Sequence, residues 1–222
     1  AVRDSAEQAG AKEVYLIHEP MAAALGIGID VEEPVGNMII DIGGGTTGIT
    51  VIALAGIVCD QSIRIAGDEF TADIMEALRR YHSLLIGERT AEQIKIQVGA
   101  AMKDLDNPPD DIPVNGRDLV TGIPKQVMVS YQEIAEALDK SVFKIEEAIL
   151  KALETTPPEL AADIYRRGLY ITGGGALLRG LDKRLAAKIK LPVHVADDPL
   201  KSVVRGTGIA LKNYDRFPFV MR

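Results

Sequence analysis

Residues 41–47 read DIGGGTT, preceded by the apolar run MII (38–40) and followed by GITVIAL (48–54). Without the glycines the segment is one long strand. Glycine in a strand interior weakens it and has no side chain to pack. Three in succession imply that the backbone turns tightly, or that another group approaches it closely. Strand-forming residues resume at once, so the stretch reads as two antiparallel strands, NMIIDI and TTGITVIAL, joined at the glycines. The tip would present the N–H groups of Gly43, Gly44, Gly45, Thr46 and Thr47 and the hydroxyls of Thr46 and Thr47. That donor set suits a phosphate. Asp41 suits a hydrated magnesium ion, which keeps most of its waters and takes few carboxylates. The alternative is a plain hairpin with a flexible loop. No GK[ST] occurs anywhere, so this is not a Walker loop.

A second triple glycine, residues 173–175, follows LYIT (169–172) and leads into ALLRGLDKRLAAKIK. It reads as a strand-to-helix junction whose bare N–H groups suit an anion or nucleotide. A tight packing turn explains it equally well. Two such turns from opposite ends of one chain suggest a shared cleft.

Bulk properties narrow the class. The chain has 222 residues, 47% hydrophobic and 26% charged, an ordinary globular mixture. Thirty-two acids against 25 bases give a net charge of −7, which argues against a broad nucleic-acid surface. The single Cys59 allows no internal disulfide and suggests a reducing compartment. No apolar run reaches the ~18 residues of a membrane span. The opening AVRDSAEQAG has neither a methionine nor a capping residue, so the first helix reads as cut and the chain as part of a longer protein.

Along the chain, VYLI (14–17) reads as a short strand and HEPMAAALGIGI as a helix with Pro20 in its first turn. IVCDQSIRIAG continues as strand, with Gly67 as stop and Asp68 as helix cap. Phe70, Ile74, Ala77, Leu78 and Tyr81 then recur at helical spacing. TAEQ (90–93) reads as a capping box opening a helix to about Met102, and SYQE (130–133) as another. The latter opens a long helix striped by Ile134, Leu138, Val142, Ile145, Ile149 and Leu153. A short helix stops at Gly168, and Leu177, Leu178, Leu181, Leu185 and Ile189 form the face of the helix after the second glycine turn. LPVHVA reads as strand, and DPLKSVVRGTGIALKNY as a helix capped by Asp198.

Taken together, HEPMAAALGIGI, IIDIGGGTTGITVIAL, IRIAGDEFTADI, LIGERTAEQIKIQVG, PPELAADIYRRGLYITGGGALLRGLD and VADDPLKSVVRGTGIAL resemble the actin, Hsp70 and sugar-kinase ATPase superfamily. Within it the chain resembles the MreB family of bacterial actins, with GERTAEQIK as the stretch that separates it from Hsp70. The resemblance covers nearly the whole chain.

It implies an α/β fold: an actin-like ATPase (RNase H-like) core with an inserted, mainly helical subdomain, forming the second half of a two-domain fold. Residues 1–35 would end the first large domain and form the hinge. Residues 36–66 and 168–222 would form the second large domain, and 67–167 its insert. DIGGGTT would be the second phosphate loop, clasping the β- and γ-phosphates of ATP, with Asp41 facing Mg²⁺ through water. Glu19 would orient the attacking water, helped by Thr46. Glu92 and Lys95 would touch ribose and adenine. Thr172, Gly173, Gly174, Gly175 and Ala176 would line the adenosine side. Read from the residues alone, Glu19 also fits a carboxylate favouring a helix N-terminus, and Glu92 with Lys95 a solvated pair on one helix face.

The implied function is an ATP-binding bacterial actin homologue that polymerises into membrane-associated filaments controlling rod shape and cell-wall synthesis. The parent protein would be a slow ATPase. Its partners would be further copies of itself, the cell-wall elongation machinery and the inner membrane, with no nucleic acid. It would lie in the cytoplasm, peripheral to the inner membrane. The family's first phosphate loop has no counterpart in these residues, so weak nucleotide affinity and negligible turnover are expected of them alone. A sugar or acetate kinase and an Hsp70-type chaperone ATPase are the other classes. The first needs a catalytic Asp in an acceptor pocket, and the second a substrate-binding domain.

Overall fold

The computed structural model describes residues 1–221. β1 (Asn37–Ile42) is the middle strand of a five-stranded sheet. Its apolar residues fall on both faces because each face is at least partly covered. Met38, Ile40 and Ile42 enter the larger core, and Ile39 enters a separate one on the opposite face. β2 (Thr47–Ala53) pairs with it antiparallel, as the hairpin reading requires, and β3 (Gly56–Ile63) continues the meander at the sheet edge. On its other side β1 pairs parallel with β7 (Leu169–Thr172), which pairs parallel with β8 (Val193–Val195).

Helices cover both faces, the layered arrangement of α/β folds. On one side α5 (Tyr131–Thr155) lies against β2 and β3, and α6 (Pro158–Arg167) against β1. On the other, α2 (Glu19–Gly26) lies against β1 and β2 and crosses α8 (Ser202–Lys212). Between β3 and β7 the chain also builds α3 (Gly67–His82), α4 (Glu88–Val98) and a small sheet of β4 (Leu84–Leu85), β5 (Ile112–Asp118) and β6 (Pro124–Val129). α5 packs against α3 as well as against the large sheet, so one rigid helix ties the small sheet's layer to the large one. α7 (Leu181–Ile189) is held to α5 by Arg184, which bonds the buried Glu146 carboxylate at 2.6 Å and the Ala101 carbonyl at 2.8 Å.

Several local expectations change. VYLI forms no strand; Leu16 makes one bridge, to Met221, and α1 (Val2–Gln8) precedes it. The Ser130 box is present, with Glu133 N–H donating to Ser130 Oγ and Ser130 N–H to Glu133 Oε2. The TAEQ box is not. α4 starts three residues earlier, with Gly87 as cap, so Thr90 already lies inside the helix, and it ends at Val98. Asp68 likewise sits in the first turn of α3, behind Ala66 as cap. Tyr81 is exposed, unlike the rest of its stripe. After the second glycine turn the helix is broken into a 3₁₀ turn (Gly174–Leu177) and α7, because Gly180 takes φ +73°. Leu177 is consequently exposed. Asp198 caps nothing; its carboxylate pairs with Lys201 at 2.9 Å, and a 3₁₀ turn (Pro199–Lys201) comes before α8. Among the described residues no helix is long and apolar enough to cross a membrane.

The α2–α8 crossing is the tightest contact between elements. A Cβ on Gly26 would overlap the Ser202 carbonyl oxygen, and one on Gly206 the Ala22 carbonyl oxygen. Gly208, on the same helix, faces open space. Gly→Ala in a helix interior ordinarily stabilises by about 0.5–1 kcal/mol. Gly208→Ala should follow that rule. Gly206→Ala should reverse it and cost on the order of 1–3 kcal/mol, as overpacking against backbone does. Urea denaturation of both variants checks the sign; equal stabilisation by both would contradict the crossing.

Candidate functional site

Two adjacent parallel strands must release their chains at the same end of the sheet. β1 and β7 are in register, Asp41 opposite Thr172, so the two triple glycines emerge side by side. Ligands of open α/β sheets lie beyond such carboxyl ends, where neighbouring connections diverge. Here the neighbour on one side of β1 is antiparallel and on the other parallel.

The turns touch. A Cβ on Gly173 would overlap Asp41 Oδ1 and the Ile42 carbonyl, and one on Gly175 would overlap the Ile42 side chain. Gly173 also takes φ +80°, a region that L side chains avoid. Glycine is required there twice over.

In the first turn Gly43 N–H closes the hairpin onto the Thr46 carbonyl at 3.0 Å. The carbonyls of Gly43 and Gly44 accept from the first N–H groups of α3, Gly67 at 3.1 Å and Asp68 at 2.7 Å. Among the described residues the N–H groups of Gly44, Gly45 and Thr46 find no acceptor, and neither do those of Gly174 and Gly175. Successive unpaired N–H groups form an anion-binding concavity.

Both turns border one cleft of about 860 Å³. It brings together Glu19, Asp41, Gly43, Gly44, Thr46, Glu92, Lys95, Gly173, Gly174 and Gly175 of the expected site. Gly45 is beside the lining and not part of it. Thr47, Thr172 and Ala176 are buried behind it. Thr47 Oγ1 donates to the Ile65 carbonyl at 2.6 Å, and Thr172 Oγ1 is hydrogen-bonded to the Pro199 carbonyl at 3.2 Å and to the Ser202 hydroxyl at 2.7 Å. Those hydroxyls brace the cleft's walls and are not offered to a ligand, a correction to the reading of both threonines as ligand contacts.

Glu92 and Lys95 form more than a surface pair. Lys95 Nζ donates to Glu92 Oε2 at 2.6 Å, to the Gly67 carbonyl at 2.7 Å and to Thr71 Oγ1 at 3.0 Å. Burial alone would raise the Glu92 carboxyl, but its bonds from Lys95 and Thr71 outweigh that and hold it below the usual range. α4 is thereby fastened to the start of α3, the same turn that holds Gly43 and Gly44.

Other lining residues were not legible as such. Asp68, expected as a helix cap, lines the cleft from the first turn of α3. Ile96, Leu177, Leu178, Pro199, Leu200 and Val203 supply an apolar wall. Thr50, Asp60 and Ser62 carry no motif, although strand alternation puts them on Asp41's face once the register is known.

Asp41 is the perturbed acid. Burial first, and then the Glu19 charge, push its carboxyl from an ordinary 3.8 up to about 6. Among the described residues no group of three or more His, Cys, Asp or Glu is gathered to hold a metal. Two carboxylates in a partly enclosed cleft suit one cation that keeps its own water.

The profile of the MreB/Mbl protein family matches residues 1–218. Cell shape-determining protein Mbl of Bacillus subtilis is 49% identical over 218 residues, 98% of this chain and 65% of that protein. The chain thus spans just under two thirds of that relative's length. Crystal structures of MreB5 of Spiroplasma citri, bound to ADP and to AMPPNP, align over 97% of the chain at 40% identity with a TM-score of 0.93, covering 65% and 64% of those chains. The double helical filament of MamK aligns over 90% of the chain and 59% of its own at 25% identity, with a TM-score of 0.70. The fold is the actin-like one.

A carboxyl whose value is raised by folding binds its proton more tightly when folded, so its ionisation opposes folding. The penalty is absent below about pH 4 and complete above about pH 6. Asp41→Asn should therefore raise stability at pH 7.5, by on the order of 1–2 kcal/mol after allowance for solvent screening. The gain should vanish by pH 4. Thermal melts of both proteins across that range check it; a gain that persists at pH 4 would contradict the assignment.

Proposed function

The chain belongs to the MreB/Mbl protein family, and on that premise we propose that it supplies one wall of the ATP site of a filament-forming bacterial actin. The observation that carries this is the abutment of two glycine turns, each with unpaired N–H groups, beside a carboxyl that ionises reluctantly. Residues 1–35 lead out of the first large domain, with α2 already lying on the sheet of the second; 36–66 and 168–222 form the core of that second domain, and 67–167 form its insert, whose α5 and α6 pack back onto the sheet.

In this reading the N–H groups of residues 44–46 receive the β- and γ-phosphates, with Thr46 Oγ1 as a further donor. The 173–175 turn and the apolar wall of Leu177, Leu178 and Leu200 receive the nucleoside. Lys95 and Glu92 hold the cleft's rim, within reach of ribose. Asp41, paired with Glu19, fits a hydrated Mg²⁺: two carboxylates with few other donors suit an ion that binds mainly through water and phosphate. Magnesium, when bound, neutralises charge developing on the phosphates. Glu19, at the start of α2, aligns a water whose oxygen bonds the terminal phosphorus as the bond to the bridging oxygen breaks, giving ADP and phosphate. Its task is alignment, since phosphoryl transfer relies mostly on positioning and charge stabilisation.

MreB5 with ADP and AMPPNP supports nucleotide binding, and the MamK filament supports self-association. We carry the cell-shape role of Mbl to this chain, together with a place in the cytoplasm at the inner face of the membrane and contact with the cell-wall elongation machinery. Hydrolysis would loosen the grip between the two large domains and so the filament, a hinge-type switch.

Calorimetric titration of the complete protein with AMPPNP and Mg²⁺ tests the site. Gly44→Val and Gly174→Leu, one in each turn, should each weaken binding about tenfold or more by blocking close approach of the ligand. Glu19→Gln should bind AMPPNP normally, hydrolyse ATP about 10²-fold more slowly, and still give the rise in light scattering on adding ATP and Mg²⁺ that marks assembly. Normal binding by both glycine variants would contradict the reading.

A further inference from the structure

The cleft has a polar floor that the proposed nucleotide contacts leave unused. Register puts two transverse rows on one face of the sheet: Asp41, Gly48 and Ser62, then Ile39, Thr50 and Asp60. All six line the cleft. The buried Thr50 hydroxyl donates to Asp60 Oδ1 at 2.9 Å, which fixes one carboxylate oxygen and leaves the other for solvent. Between Asp41 and Ser62 the row is empty. A Cβ on Gly48 would meet nothing within 4 Å, and its backbone is ordinary strand, so neither strain nor packing requires glycine there. A glycine in a central strand costs stability. The cost is unexplained by the fold and explained by what the gap admits.

We propose that Asp60 is a positioning residue for nucleotide hydrolysis, acting with Thr50 and Ser62 to order solvent over Gly48 beside Asp41 and Glu19. The inference rests on the nucleotide reading of the same cleft. The gap has polar groups on two sides, which is what a bound water needs. Strands lie about 4.8 Å apart, so Asp60, two strands from Asp41, is too far to touch the same ion or phosphate and acts through water. The other charged groups lining the cleft are Glu19, Asp41, Asp68, Glu92 and Lys95, and Lys95 is already committed to Glu92, Thr71 and Gly67. Among the described residues no other cation of the lining competes for Asp60.

The test compares ATP turnover and AMPPNP affinity of the complete protein and two variants. Asp60→Asn keeps an oxygen for Thr50 and removes the charge. Gly48→Ala fills the gap from a different strand and should fold at least as stably as the parent. Both should lower kcat about tenfold with the AMPPNP Kd unchanged within about twofold, and Gly48→Ala should also raise Tm. Parental kcat in both variants would overturn the role of this floor while leaving the nucleotide site intact. A parent protein that does not bind AMPPNP would overturn both.

Discussion

Everything at the cleft depends on how closely two backbones approach at the ends of β1 and β7. Gly173 sits against Asp41 and Ile42 with no room for a side chain, and its positive φ turns the chain across the mouth of β1. Parallel pairing of these strands, set by Asp41 opposite Thr172, brings together residues some 130 positions apart. The apolar alternation of NMIIDI and LYIT fixes that register, because a slip of one residue would turn Asp41 into the core. Packing thus determines where the unpaired N–H groups lie, and those groups determine what the cleft can hold.

The first turn is also mechanically connected. Gly43 and Gly44 accept the opening N–H groups of α3, and Lys95 bonds the Gly67 carbonyl from α4. A pull on the turn is a pull on both helices, and through them on the β4–β5–β6 sheet. α5 spans from α3 to β2 and β3, so the two layers are joined through it as well. This gives a physical route by which the occupancy of a phosphate site can be felt at the edge of the molecule. Exposed Leu119, Val120 and Ile123 cluster at the tip of the β5–β6 hairpin, where that route ends.

Much of this was legible in the sequence. The two glycine turns, the hairpin around the first and the Ser130 capping box all follow from local chemistry. Residue patterns also put Glu19 before Pro20 and the long stripe of α5 on a core face. What was missed depended on tertiary context. TAEQ has the right residues for a cap, but Gly87 already takes the cap position and the helix starts earlier. Thr47 and Thr172 look like ligands in a list of hydroxyls; only the fold reveals that Ile65, Pro199 and Ser202 already take them. VYLI has strand composition, yet it builds no strand, and Leu16 bridges to Met221 instead. Asp60 and Ser62 have no motif and become visible only when strand alternation is combined with the β2–β3 register.

The central claim is that the turns at 43–46 and 173–175 grip one nucleotide between them. The most direct measurement is a crystal structure of the complete protein with AMPPNP and Mg²⁺. The account predicts phosphate oxygens within hydrogen-bonding distance of the N–H groups of residues 44–46, with the adenosine against residues 174–178 in the same cleft. A nucleotide that left either turn untouched, or that bound on another surface, would contradict it.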